Sequence, residues 1–260
     1  VSAPAFLPRV DILGVGVSAI DMKDAVATID RWIRQRQKHF VCITGVHGVM
    51  ECRRDSDLRG IHRAAGMVTP DGMPLVWMAR RLGFDRVTRV YGPDLMREVS
   101  RLSPERGYRH FYFGGGPGLA EALQARLRQT CPGIDVVGTL SPPFRPVTDE
   151  EDDAIVEAIN AAKPDIVWVG LSTPKQERWM SAHRERIDAP VMIGVGAAFD
   201  FLAGTKRQAP LWMQRNGLEW AFRLITEPRR LGRRYATIVP HFLVLAGAQL
   251  AFARSKAART

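Results

Sequence analysis

Thr69-Pro70-Asp71-Gly72-Met73-Pro74 holds one carboxylate between a proline that stiffens the approach and a glycine that permits a turn. At the end of a short apolar strand, such a carboxylate loses enough water to act as general base on a hydroxyl nucleophile. The same residues also suit a plain Asp-Gly turn. Eighteen residues on, Arg89 opens Arg89-Val90-Tyr91-Gly92-Pro93-Asp94. A guanidinium there could neutralise a diphosphate leaving group without a metal, although a lone arginine is more often a surface residue. A third candidate is Phe113-Gly114-Gly115-Gly116-Pro117-Gly118, which runs directly into Leu119-Ala120-Glu121-Ala122-Leu123. Glycines let the main chain approach a diphosphate, and a helix N-terminus adds amide donors and a positive dipole end. The third glycine stands at 118 and not 119, so the dinucleotide fingerprint is not met. That spacing opposes a dehydrogenase and leaves open a nucleotide-linked substrate or an ordinary tight turn.

Metal chemistry finds little support in the sequence. The run Asp149-Glu150-Glu151-Asp152-Asp153 follows Thr148, and Thr148 with Glu151 reads as a capping box whose carboxylates suit a first helical turn. No Asp-x-Asp ends a strand, and His39, His47, His62, His110, His183 and His241 lack His-x-x-x-His spacing. Cys42, Cys52 and Cys131 are scattered without a CxxC pair, which reads as three reduced core or near-core thiols.

The elements that must position these residues follow from periodicity. Strand-length apolar runs are expected at 10–17, 40–44, 67–69, 110–113, 135–138, 166–170 and 191–194. Amphipathic helices are expected at 22–37, 48–65, 74–82, 93–102, 118–129, 150–162, 175–186 and 210–224. The alternation predicts an α/β fold, Rossmann-like, with a mainly parallel sheet flanked by helices. Ligands of such sheets bind where loops leave the carboxyl ends of the strands. A catalytic domain is expected over residues 1–204 and a basic helical C-terminal appendage over 205–260.

With 260 residues, 46% apolar and 25% charged, the composition excludes disordered, collagenous and disulfide-framework chains. The net charge of +10 is concentrated at one end, since 205–260 carries eleven basic residues against Glu219 and Glu227. An anionic partner is implied. Residues 236–253 form an eighteen-residue stretch without a formal charge, flanked by Arg233/Arg234 and Arg254/Lys256. Pro240, His241 and Gln249 weaken a clean crossing, so a helix on an anionic membrane surface is expected, with a buried core helix as the alternative. No helix-turn-helix, finger or RNA-binding signature accompanies the charge, so nucleic acid is not an expected partner. Val1–Val10 lacks the basic region and long apolar run of a secretory signal, and a cytoplasmic location is expected. Apolar residues of the appendage could also join subunits into a homo-oligomer off the membrane.

Six segments, taken in order, resemble the WecG/TagA/CpsF family of bacterial glycosyltransferases. They are Thr69-Pro70-Asp71-Gly72-Met73-Pro74-Leu75-Val76-Trp77, Arg89-Val90-Tyr91-Gly92-Pro93-Asp94-Leu95-Met96 and Phe111-Tyr112-Phe113-Gly114-Gly115-Gly116-Pro117-Gly118. Gly170-Leu171-Ser172-Thr173-Pro174-Lys175-Gln176-Glu177, Gly194-Val195-Gly196-Ala197-Ala198-Phe199-Asp200-Phe201 and Glu227-Pro228-Arg229-Arg230-Leu231 complete the set. The resemblance spans roughly Val10 to Tyr235. It implies inverting, metal-independent transfer of a hexose or N-acetylhexosamine from a UDP-sugar to a polyprenyl-diphosphate-linked saccharide. It places that reaction, which needs no cofactor, at the inner membrane face in cell-envelope or exopolysaccharide synthesis.

Carried over by position, the resemblance makes Asp71 the catalytic base and Arg89 the diphosphate partner. It places Gln176 and Asp200 near the nucleotide or donor sugar, with Gly114, Gly115 and Gly116 as the candidate phosphate loop. Thr44-Gly45-Val46 keeps the family's threonine but lacks its asparagine, so His47 is either a substitute contact or a structural histidine. Family members use a basic appendage both to reach the membrane and to complete the site. Arg223, Arg229, Arg230, Arg233 and Arg234 are the matching candidates here. The donor sugar stays open, and Trp77 and Tyr91 are either sugar-stacking or core aromatics. Two other classes compete: a Rossmann-type oxidoreductase or methyltransferase using the Gly114–Gly118 loop, and a non-catalytic adaptor built on the tail.

Overall fold

A computed structural model describes residues 7–257. The chain opens with β1 (Arg9–Ile12) and β2 (Val15–Ser18), an antiparallel hairpin apart from the main sheet. The run expected as one strand is therefore two. Leu13 and Gly14 both take positive φ, 54° and 86°, and turn the chain back on itself. The order continues α1 (Met22–Arg34), β3 (His39–Thr44), α2 (Val46–Arg54), α3 (Ser56–Ala64), β4 (Met67–Pro70), α4 (Met73–Arg81) and α5 (Gly92–Arg106). Then come β5 (Arg109–Gly114), α6 (Leu119–Thr130), β6 (Asp135–Leu140), α7 (Asp149–Ala161), β7 (Ile166–Gly170), α8 (Lys175–His183) and β8 (Val191–Gly194). The chain ends with α9 (Ala198–Ala203), α10 (Leu211–Arg215), α11 (Glu219–Thr226) and α12 (Pro228–Ala257).

Two expected helices are split, each for a local reason. Asp55 ends α2 and caps α3, its carboxylate accepting the amides of Asp57 and Leu58. Asn216 and Gly217, the latter at φ 67°, separate α10 from α11. The capping box of α7 forms as its sequence predicts, with Thr148 and Glu151 bonding each other's amides.

Six strands form one parallel sheet in the order β4-β3-β8-β7-β5-β6. Both faces are covered, which explains why the strands read as continuous apolar runs. Phe40, Cys42, Val68, Phe113, Val167 and Met192 pack on one side with α2, α4, α8 and the hairpin. Val41, Met67, Tyr112, Trp168, Val191 and Ile193 pack on the other with α1, α5, α6 and α9. Cys42 and Cys52 are buried free thiols and Cys131 is half-buried.

The C-terminal stretch is helical, and α12 lies against the body. By length and composition Leu231–Ser255 could cross a membrane. Leu231, Ile238, Phe242 and Ala246 are nevertheless buried, and the last three belong to the same apolar layer as the hairpin. Gln249 fastens the far end, accepting from the Leu13 amide at 3.0 Å and donating to the Asp11 carbonyl at 2.8 Å. The outer face exposes Leu243, Val244 and Phe252.

Candidate active site

All six strands of the sheet run in parallel, so their carboxyl ends share one edge. Strand order sets Asp71, after β4, four positions from Gly114, at the end of β5. At ~4.8 Å per strand that is roughly 19 Å. Between them lie the ends of β3, β8 and β7, followed by Gly45, Gly196 and, in the first turn of α8, Gln176.

Asp71 is held from several sides. Its amide donates to the Thr44 carbonyl at 3.0 Å. Its carboxylate Oδ2 lies over Gly45, where a side-chain carbon would sit 3.6 Å away. Gly45, Gly72 and Tyr91 begin α2, α4 and α5, and none offers a side-chain cap. Oδ1 of Asp71 is buried without a hydrogen-bond partner among the described residues. Burial is the main cause of a carboxyl pKa raised to about 6; Glu219 adds to it, while Arg89, Arg223 and the Gly92 amide pull the other way. The result is a base poised near neutral pH with one oxygen unoccupied.

The two nearby arginines differ. Arg89 donates through Nε to the Asp71 carbonyl at 2.7 Å, through Nη1 to Gln214 Oε1 at 3.1 Å, and through Nη2 to the Glu219 carboxylate. It also lies 3.9 Å from the centre of the Tyr91 ring, and Tyr91 donates its hydroxyl to Glu219 at 3.1 Å. These contacts fasten the segment after residue 205 to the loop bearing the base. Arg223 Nε, by contrast, is buried with no hydrogen-bond partner among the described residues, and its guanidinium faces the Phe201 ring at 5.9 Å. Arg229 and Arg233 are exposed on α12. The side chains of Arg230 and Arg234 lie outside the described residues.

Thr44 turns its side chain into the core, towards His62. The Leu58 carbonyl, 2.9 Å from His62 Nδ1, can only accept, which assigns the ring proton to Nδ1. Nε2 therefore accepts from the Thr44 hydroxyl at 3.1 Å. Burial lowers the pKa of His62 and keeps it neutral. Thr44 thus meets Asp71 through its main chain. His47, in the first turn of α2, pairs with Glu51 at 3.8 Å.

At the other end, Gly114 and Gly115 take φ of 117° and 79°. A side-chain carbon on Gly114 would come within 2.8 Å of the Gly170 main chain, so the ends of β5 and β7 meet this closely only because that position is glycine. Ser141 donates to the carbonyls of Gly114 and Gly116 at 3.2 and 3.3 Å. Asp200 stands in the first turn of α9, which packs on α6, and Lys206 Nζ lies 3.4 Å from its carboxylate. Gln176 is buried between the two groups, beneath Gly196.

The model of the Glycosyl transferase WecG/TagA/CpsF family matches residues 10–256. The chain belongs to this family. Similar relatives include the N-acetylglucosaminyldiphosphoundecaprenol N-acetyl-beta-D-mannosaminyltransferases of Staphylococcus aureus strains NCTC 8325 / PS 47, COL and MRSA252. Each is 28% identical over 227 residues, covering 86% of this chain and 87% of the relative.

In this WecG/TagA/CpsF glycosyltransferase, three residues beyond those expected join the strand-end region. Glu219 and Gln214 come from the basic tail. The signal for Glu219 was an acid retained in a stretch of eleven cations. Phe144 sits among prolines after β6, is 83% exposed, and reaches to 3.6 Å from where a Gly116 side chain would start. A bare aromatic beside a glycine loop offers a stacking face for a flat ring.

Proposed function

We propose that the protein transfers an N-acetylhexosamine from a UDP-sugar to a polyprenyl-diphosphate-linked saccharide, with inversion and without a metal. The unpartnered Asp71 oxygen, within electrostatic reach of Arg223 at one end of the row of strand ends, carries this reading. An acceptor hydroxyl is a weak nucleophile, and Asp71 takes its proton as the bond to UDP breaks. Attack from the side opposite the leaving group inverts the anomeric carbon. Charge gathering on the departing diphosphate meets Arg223 and the main-chain amides at the helix N-termini. The ~19 Å between Asp71 and the glycine loop suits a nucleotide-sugar laid across the strand ends, base outermost.

The Staphylococcus relatives are named for N-acetylmannosamine transfer onto N-acetylglucosaminyl-diphosphoundecaprenol, which makes that pair the first to test. With EDTA present, UDP-N-acetylmannosamine and a synthetic N-acetylglucosaminyl-diphospho-lipid should yield UDP and a lipid saccharide one sugar longer. Binding of NAD or S-adenosylmethionine with no UDP release would overturn the assignment. Strict dependence on magnesium or manganese would overturn its metal-free part.

Under the same reading, Phe144 stacks on uracil. Phe144→Ala is then expected to weaken UDP affinity about tenfold or more, the effect of a lost base–aromatic stack. Calorimetric titration reads this directly, and an unchanged affinity would place the base elsewhere.

The reading also puts the enzyme at the cytoplasmic face of a membrane, in envelope or exopolysaccharide synthesis. Leu211, Trp212 and Ile225 are exposed on α10 and α11, near the exposed Arg207, Arg215 and Arg229 in sequence. Apolar side chains beside cations suit an anionic lipid surface. On this view α10, α11 and the outer face of α12 meet lipid, while the inner face of α12 stays on the body.

A further inference from the structure

Gln176 and Glu177 stand in the first turn of α8, 3% and 1% exposed. Each has one oxygen without a hydrogen-bond partner among the described residues, Oε1 of Gln176 and Oε2 of Glu177. Leaving a buried acceptor unpaired is destabilising, so such atoms call for an explanation.

The donors around the pair run in one sense. Gln176 Nε2 donates to Glu177 Oε1 at 3.1 Å, and the Thr173 hydroxyl donates to the same oxygen at 2.8 Å. Glu177 Oε1 accepts from both, so the amide nitrogen is the end of the Gln176 carboxamide that faces it. Gln176 Oε1 is thereby directed towards Gly196, 3.4 Å from where a side-chain carbon would begin. The Ser172 Cα lies 3.7 Å from that same point, so the oxygen sits between the loops that follow β7 and β8.

We propose that Glu177 is a positioning residue that locks Gln176 as a hydrogen-bond acceptor, so that Gln176 reads a hydroxyl or acetamido N–H of the donor sugar and not a phosphate oxygen. The inference rests on the nucleotide-sugar reading above. A phosphate oxygen at Oε1 would oppose two acceptors, whereas a sugar O–H or N–H satisfies the orphan. Free UDP leaves it unsatisfied, so this contact favours UDP-sugar over UDP.

The test compares the dissociation constants of UDP-N-acetylmannosamine and UDP in the full chain, with thermal unfolding as a check on folding. Gln176→Leu should weaken the sugar nucleotide about tenfold, the loss of one buried hydrogen bond, while leaving UDP within about twofold. The charge-conserving exchange Gln176→Glu with Glu177→Gln retains the geometry in reverse. The new carboxamide at 177 donates to the new carboxylate at 176, whose second oxygen still accepts. This exchange should bring sugar-nucleotide affinity back to within about threefold of wild type. An equal loss of UDP affinity in Gln176→Leu would overturn the proposal, as would a folded exchange variant no better than Gln176→Leu. If the exchange does not fold, the comparison of the two ligands in Gln176→Leu decides alone. A wild-type protein that binds neither ligand overturns the nucleotide-sugar reading itself, and that control separates the two failures.

Discussion

Asp71→Asn is expected to lower transfer by about 10²–10⁴-fold, the usual contribution of a general base, with UDP-sugar affinity nearly intact. The same substitution should stabilise the fold at pH 8. The Asp71 carboxyl titrates at about 6 in the folded chain, chiefly because of burial, against ~3.9 in an unfolded one. The folded state therefore holds this proton more tightly than the unfolded state. Stability falls as pH rises from about 4 to 6 and stays at the lower level above that. A neutral amide removes this penalty, which the shift puts on the order of 1–3 kcal/mol. Thermal unfolding of both proteins at pH 4 and pH 8 checks the sign. The gain should appear at pH 8 and vanish at pH 4. Retained turnover would remove Asp71 from its role.

Arg223→Ala and Arg89→Ala should fail in different ways. Arg223 has a buried nitrogen without a partner and a charge that acts on Asp71, so it is free to meet the diphosphate. Losing one such donor costs about 10²–10³ in kcat, and the melting temperature should scarcely move. Arg89 spends its donors on Asp71, Gln214 and Glu219. Its removal leaves Glu219, whose side chain is only 18% exposed, with the Tyr91 hydroxyl but no counter-charge, and loosens α10 and α11 from the base loop. A destabilisation of about 2–4 kcal/mol follows from leaving a largely buried carboxylate unpaired. Denaturant unfolding and steady-state kinetics on both variants separate the cases. A stable but inactive Arg89→Ala would reverse the two roles.

The strands of the central sheet were legible because burial on both faces leaves apolar runs of strand length, such as Val191–Gly194. The hairpin resembles one strand in sequence because Leu13, a residue that rarely takes positive φ, shares the turn with Gly14. Asp71 and Arg89 announced themselves through loop chemistry, but the sequence could not show that Arg89 is already paired. Its partners Gln214 and Glu219 lie 125 and 130 residues away, and such separations leave no local trace. The tail read as a membrane-surface helix because only one face of α12 meets the body, at Ile238, Phe242 and Ala246. Its mean composition cannot report which face is covered. Glu177 lies inside a recognised segment, yet residue type and spacing do not show that its carboxylate accepts from Gln176 and Thr173.

The pH dependence of kcat/KM, measured in wild type and Glu219→Gln, tests the role of Asp71 most directly, because it reports the essential base of the free enzyme. Activity should rise with pH along a limb centred near 6 in wild type. Glu219 is one of the charges that raise the Asp71 pKa, so removing it should move that limb to lower pH. A wild-type rate flat from pH 4.5 to 8, or a limb that stays in place in Glu219→Gln, would contradict the account.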